Sequence, residues 1–204
     1  MPPRTTTEPR FFARPTLDVA RDLIGHVLVH DVRGARTSGV IVEVEAYIGE
    51  SDPACHAACG PTARNAPLYG PPGRAYVYLN YGLHYLVNAV TEKEGQPAAV
   101  LIRALQPLEG MDLMRRRRLR ARRAAGTSVR RAIADELLCN GPGNLTVAMG
   151  IDLRHNTRDL TTGALRIEDR GIRPPRVSWS PRIGIRVGAD RLWRCTWEKG
   201  DGPC

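Results

Sequence analysis

The sequence predicts an α+β fold built as one domain, on three observations. The chain has 204 residues, enough for one substantial core with at most a small extra lobe. Four stretches, near 27–29, 41–47, 74–80 and 98–105, are apolar or alternate apolar with polar residues between turn signals, as strands do. Two others, 16–24 and 108–131, read as helices.

In chain order, residues 1–14 are expected to form a flexible arm ahead of a single domain over 15–204. A helix follows Pro15. Thr16 is its expected cap, Asp18 complements its first turn, and Leu17, Ala20, Leu23 and Ile24 fall at helical spacing until Gly25 stops it. Val27–Val29 is a strand, and Gly34 turns the chain into the next one, which ends near Tyr47. Gly49 to Pro72 is too long for a simple turn, and long loops in compact domains are often functional. After the strand at 74–80, residues 81–91 either extend it or fold back as its hairpin partner. The strand at 98–105 leads into 108–131, which carries nine arginines: Arg115, Arg116, Arg117, Arg118, Arg120, Arg122, Arg123, Arg130 and Arg131. They cannot all share one helix face, so a solvated surface accounts for part of the run and phosphate contact is open for the rest. Ser128 is expected to cap a helix reaching Leu138. Asn140–Asn144 is a turn that opens a short helix from Leu145 to Met149, and free N–H groups there suit a phosphate or a water, or simply join two helices. Gly163 to Trp197 reads as short strands broken by Pro174, Pro175 and Pro181.

Composition narrows the class of partner. Thirty Lys+Arg face 21 Asp+Glu, a formal charge of +9, and Lys93 and Lys199 are the only lysines. Guanidinium groups fork onto phosphate oxygens and keep their charge in partly dry interfaces, so a polyanion is the first expectation. Five cysteines, odd in number and scattered, make a poor disulfide framework and suit a reducing, cytoplasmic setting. Cys55, His56 and Cys59 cluster, but no second ligand pair completes a zinc site, so no metal and no cofactor are expected. No apolar run reaches the ~20 residues of a membrane span, and Met1–Glu8 has no apolar export signal. A monomer, away from membranes, is expected.

The chemistry concentrates between Ile41 and Arg103, where all six tyrosines lie. Alternation puts Glu43, Glu45 and Tyr47 on one strand face. A carboxylate in an apolar strand is exposed, paired or functional, because burying it bare is costly. Glu45 is the candidate general base on a water, with Glu43 its rival by position and a plain strand ion pair the simpler alternative for either. Tyr76 and Tyr78 share a face with Asn80, and such rings stack on nucleobases for ~1–3 kcal/mol each. His56 is a candidate for a base edge, an acid or a loop closure. An aromatic platform with one carboxylate on a basic body suggests chemistry on a nucleic-acid base. No P-loop, nucleophile elbow or dinucleotide fingerprint is present, and the one central lysine, Lys93, sits in a turn, so a Schiff-base route lacks its nucleophile.

These segments resemble the alkyladenine (3-methyladenine, or methylpurine) DNA glycosylase family. The resemblance rests on Glu43–Gly49, His56, Thr62–Asn65, Tyr76–Gly82, Asn88, Val100–Gly110 and Asn140–Leu145, in order and at family-like spacing. It covers most of residues 15–160. Pro181–Ile185 also fits, whereas Trp193–Trp197 departs from the family's usual last strand. The resemblance implies a compact domain around a curved antiparallel sheet with flanking helices and a protruding β-hairpin that intercalates into DNA. By that analogy Tyr81 fills the gap left by a flipped nucleotide. Tyr47, His56 and Tyr78 enclose the purine, Asn88 acts against guanine, and Leu101 lines the pocket. Glu45 activates the water, Arg103 holds the water and a phosphate, and Arg64, Asn65 and Gly143 contact the backbone. The implied activity is excision of alkylated or deaminated purines from double-stranded DNA, leaving an abasic site without strand cleavage. Two other readings stay open: a non-catalytic nucleic-acid binder, and a metal hydrolase using His56, His84, Cys55 and Cys59.

Overall fold

The computed structural model describes residues 5–126 and 132–198. Nine strands make one antiparallel sheet: β1 (Thr5–Thr6), β2 (Val27–Val32), β3 (Ala35–Ile48), β4 (Ala75–Asn80), β5 (His84–Val90), β6 (Ala98–Glu109), β7 (Leu165–Asp169), β8 (Val177–Ser180) and β9 (Arg194–Trp197). Four helices accompany them: α1 (Pro9–Phe12), α2 (Thr16–Leu23), α3 (Met111–Ala124) and α4 (Pro142–Met149). The strand order is β1-β7-β2-β3-β6-β5-β4, with β9 on β3 and β8 on β9.

Strand β3 is the spine of the sheet. It leaves β2 through Arg33 (φ 49°) and Gly34 (φ 79°), a two-residue turn with both central residues left-handed, whose twist matches that of the strands it joins. Along one edge β3 pairs first with β2 and then, at Glu43–Glu45, with β9. Along the other it pairs with β6 from Ser38 to Ile48. The register slips at Ser38/Gly39 and again on both sides of Glu43, and such irregularities bend a strand and tighten its twist, which curves the sheet.

The pleat sorts the side chains. On one face Val44, Ala46, Val77, Val87, Ala89, Val100 and Ile102 join the core under α2 and α4, with Met114 of α3 packed behind. On the other face lie Glu43, Glu45 and Tyr47 of β3, Leu101 and Arg103 of β6, Leu86 and Asn88 of β5, and Tyr76 and Tyr78 of β4. The long loop after β3 covers this second face with two 3-10 turns, His56–Cys59 and Ala66–Tyr69.

Several expectations are corrected. Residues 1–4 of the expected arm lie outside the described residues, but from Thr5 the chain is part of the domain. β1 extends the sheet on β7, and Phe12 is fully buried in the core, its ring 3.1 Å from where a Cβ on Gly73 would sit. Thr16 is not a cap. It is the first helical residue, and its N–H and hydroxyl both donate to the Glu92 carboxylate (2.7 Å each), an acid reaching the positive helix end from 76 residues away. Residues 81–91 take the hairpin option, with β5 paired to β4 from Asn80↔His84 onward.

The arginine helix is shorter than the 108–131 reading. Leu108 and Glu109 belong to β6, the helix ends at Ala124, and Ser128, Arg130 and Arg131 lie outside the described residues. Residues 132–134 are not helical, and the expected helix to Leu138 is one 3-10 turn, Asp135–Leu137. Buried Arg118 donates to the carbonyls of Leu137 and Leu138 and so ties this 3-10 turn to α3. Arg115 and Arg117 likewise turn inward, onto the carbonyls of Ile133 and Ala148, whereas Arg116, Arg120, Arg122 and Arg123 are exposed. Helix α4 starts at Pro142, three residues before the expected Leu145, because proline suits a first helical position where no N–H is needed.

Candidate active site

The second sheet face and its covering loop enclose a cleft of about 530 Å³. Cross-strand register builds its floor. Glu45 lies opposite Leu101 and Tyr47 opposite Ala99, while Leu101 is also level with Asn88 on β5, and Asn88 with Tyr76 on β4. One row of the pleat thus carries a carboxylate, an apolar side chain, an amide and a phenol side by side.

Glu45 has no exposed surface. One oxygen, Oε1, accepts from the backbone N–H of Ile183 (2.7 Å), and Oε2 accepts from the Tyr47 hydroxyl (2.8 Å) and lies 3.2 Å from Arg103 Nη1. Three donors surround the carboxylate, and buried charge is tolerated only with such partners. Burial and the adjacent Glu45 charge push the Tyr47 phenol far above its ordinary range, so this hydroxyl remains a donor.

Glu43 is placed differently. Its Oε1 accepts from Arg103 Nε (2.8 Å) and Arg194 Nε (2.7 Å). Burial works against its charge, but hydrogen bonds from Arg194 and Arg103 outweigh burial and hold the carboxyl below the usual range. Glu43 therefore clamps the Arg103 guanidinium from the side remote from Glu45, and Arg194 braces the clamp from β9. The divergent segment Trp193–Trp197 contributes that arginine.

Aromatic side chains wall the cleft. The rings of Tyr76 and Tyr78 lie 5.3 Å apart and tilted, and His56 meets Tyr78 edge-on at 4.5 Å. His56 Nδ1 is bonded to the Tyr76 hydroxyl (2.8 Å), leaving Nε2 for a ligand. Burial, helped by Arg64, depresses the histidine's proton affinity and favours a neutral ring. Burial pushes the Tyr76 phenol up to about 12. Asn88 is buried and donates to the Tyr76 carbonyl (2.9 Å), and Leu101 lines the floor.

At the mouth, Tyr81 occupies the tip of the β4–β5 hairpin. It is 85% exposed and left-handed (φ 48°), followed by Gly82 (φ 70°) and by Leu83, 75% exposed. A non-glycine residue held left-handed stores roughly 1–3 kcal/mol of strain, and such strain gathers at functional positions. Arg64 is exposed, with its guanidinium 5.8 Å from the centre of the Tyr78 ring. Gly143, at the start of α4, lines the same mouth, and a Cβ there would stand 2.8 Å from the His84 ring. Asn65, expected at the DNA backbone, lies within the loop. It is 2% exposed, its Nδ2 donates to the carbonyls of His56 and Gly60, and its Oδ1 accepts from Thr62 N–H. Its amide is spent holding the loop that carries His56. Among the described residues no group of three His, Cys, Asp or Glu side chains is arranged to hold a metal ion.

The sequence reading gave no role to three residues. Asp52 and Arg182 form a fully buried pair (2.6 and 2.8 Å), and Ile183 supplies the N–H on Glu45. The Asp52–Arg182 contact spans 130 residues and follows no local pattern, and a backbone donor has no side-chain signature at all. The one available signal is that Pro181–Ile185 fits the resemblance.

The comparisons with known proteins agree with this geometry. The family model described as methylpurine-DNA glycosylase (MPG) matches residues 10–201. A protein of Rubrobacter xylanophilus is 51% identical over 85% of this chain and 84% of its own length. Proteins of Chlorobaculum tepidum and Methanocella arvoryzae are each 44% identical, over 90% and 95% of this chain and 83% and 92% of their own lengths. All three bear the name "Putative 3-methyladenine DNA glycosylase". With a family model covering nearly the whole chain and relatives this similar over most of it, the chain belongs to the methylpurine-DNA glycosylase family.

Proposed function

We propose that the protein is a monofunctional DNA glycosylase. It flips an alkylated or deaminated purine out of duplex DNA and hydrolyses its N-glycosidic bond with a water activated by Glu45. The observation that carries this reading is the fully buried Glu45 carboxylate, braced by Arg103 and Tyr47 beneath an aromatic cleft.

Extrusion comes first. Tyr81 enters the duplex from the hairpin tip and occupies the space the nucleotide leaves; unstacking costs a few kcal/mol and least at damaged pairs. Tyr47, Tyr78 and His56 then enclose the purine, and their electron-rich rings favour the electron-poor ring of an alkylated base. His56, neutral and tied to Tyr76, offers Nε2 to the base edge. Asn88 lies against the exocyclic amine of guanine and disfavours the normal base. Leu101 keeps the floor apolar.

As the bond from C1′ to the base nitrogen lengthens, the bonding pair leaves with the base and the sugar becomes cationic. The Glu45 carboxylate stabilises that cation and takes a proton from the water whose oxygen attacks C1′. Arg103, fixed by Glu43, orients the water and the neighbouring phosphate. Arg64 and the backbone at Gly143 hold the flanking strand. The products are the free base and an abasic site. Among the described residues no lysine lines the cleft, which supports hydrolysis without an imine and a strand left intact. The enzyme acts as a monomer in the cytoplasm, on DNA, without metal or cofactor.

Duplexes carrying one hypoxanthine, etheno-adenine or methylated purine test this reading. The expected result is release of the free base, with the strand breaking only after alkali. Binding without release would leave a non-catalytic DNA binder, and breakage without alkali would contradict monofunctional hydrolysis.

A further inference from the structure

Arg182 is a buried charge on the cleft side of the molecule. Its side chain has no exposed surface, and its two terminal nitrogens fork onto Asp52, which is equally buried. Nη1 also donates to the Ala46 carbonyl (3.0 Å), the residue between Glu45 and Tyr47. The guanidinium lies 4.7 Å from the centre of the Tyr47 ring and 5.1 Å from that of Trp193. Asp52 in turn accepts from the N–H groups of Ile48 and Ala54, so it is tied to the end of β3 and to the loop that carries His56. The residue after Arg182 is Ile183, whose N–H donates to Glu45.

Stability alone explains this arrangement poorly. A buried ion pair is often no better than apolar residues of the same volume, because desolvation offsets the attraction. This one also leaves Arg182 Nε buried with no acceptor among the described residues, a further cost. Ile183 itself is half exposed, so its side chain does not anchor the segment. What the pair does achieve is geometric. It fixes a segment 130 residues away in sequence against β3, backs the Tyr47 ring with a flat cation, and sets the Ile183 N–H on the Glu45 carboxylate.

We propose that the Asp52–Arg182 pair is a positioning device for the reaction. It orients the Tyr47 ring and holds the Ile183 N–H as an obligatory donor to Glu45. The inference rests on Glu45 acting as the base. The device joins two segments 130 residues apart, so the site is complete only when the Pro181–Ile185 segment is docked. Asp52 balances the Arg182 charge, which keeps the back of the Tyr47 ring from repelling a cationic alkylated purine on its front.

Single-turnover base release from a hypoxanthine duplex, at saturating enzyme, tests the proposal in Ile183→Pro, Arg182→Lys and Glu45→Gln. Ile183→Pro removes one N–H while leaving both ion-pair partners. The charged and titratable groups facing Glu45 are Tyr47 and Glu43 from β3, Arg103 from β6, Arg194 from β9, Tyr78 from β4 and Arg182 itself; Ile183→Pro leaves all of them unchanged. Its rate should fall roughly 10- to 100-fold, the scale of one hydrogen bond to a charged group, with lesion binding little changed. Arg182→Lys keeps the charge but neither the fork nor the flat stack, so it should lose rate and weaken lesion binding together. A merely structural role predicts a lower melting temperature with a wild-type rate for the folded enzyme. That outcome in Ile183→Pro, with Glu45→Gln inactive, would overturn the positioning role alone. A Glu45→Gln enzyme that still releases base would overturn the base assignment and the positioning role with it.

Discussion

Glu43 and Glu45 stand two residues apart on one face of β3, and their neighbours divide them. Two arginines claim the same oxygen of Glu43, whereas Glu45 meets one arginine, one phenol and one backbone N–H. The first is equipped to hold Arg103 still, and the second to meet a water. Tyr47 links this chemistry to recognition, since its ring faces the cleft and its hydroxyl donates to the carboxylate. Tyr47→Phe separates the two contributions. It should lower the single-turnover rate about 10-fold by removing one charge-assisted hydrogen bond, while the retained ring keeps lesion affinity nearly unchanged. Equal losses of rate and affinity would deny the hydroxyl a role of its own. At this scale the sequence was partly legible. Alternation alone grouped Glu43, Glu45 and Tyr47, and also Tyr76 with Tyr78. It could not say which carboxylate meets the arginines, because that depends on a register slip beside Glu43 and on Arg194 arriving from β9.

Elements lock one another through contacts distant in sequence. The N-terminal segment shows this, since α1 reads as a fringe of the chain yet delivers Phe12 to the core. Phe12→Ala should destabilise the fold by about 3–5 kcal/mol in denaturant titrations, whereas a loose arm would show no change. The β2–β3–β7 ribbon is tied at one end by Asp31, bonded to Arg36 and Arg166. The Arg36 hydrogen bond, against burial and with help from Arg166, lowers the Asp31 carboxyl to about 2. A depressed carboxyl contributes stability that is fully present above its unfolded value and disappears as pH falls through the folded one. Asp31→Asn should therefore cost up to about 1 kcal/mol at pH 5, discounted for the third of the side chain that remains exposed, and the difference should shrink as pH falls through 2. A pH-independent difference would contradict the linkage. Element types were legible in the sequence from periodicity at β3, β4, β6 and α2. The helix start at Thr16 was not, since its cap is Glu92 from a distant turn.

Across the whole molecule, the sheet separates two jobs. One face packs against helices to make the core, and the other presents an aromatic cleft whose mouth carries Tyr81 and the start of α4, with Arg64 beside Tyr78. The net charge of +9 is the third component. It is spread through inward-facing and exposed arginines alike, and only the exposed ones are free to meet phosphate. Affinity for undamaged duplex should fall steeply with salt as condensed counterions are released, and Arg64→Ala should shallow the slope of log K against log salt by about one. A slope that Arg64→Ala leaves unchanged would remove this residue from the backbone contacts. In the proposed mechanism Glu45 performs the hydrolysis and is dispensable for finding the lesion. One measurement addresses it most directly: base release and duplex binding by Glu45→Gln, side by side with the unaltered enzyme on the same hypoxanthine duplex. The account predicts binding within a few-fold of normal and base release reduced by at least the ~10²–10⁴ typical of a lost general base. Near-normal release by Glu45→Gln would contradict it.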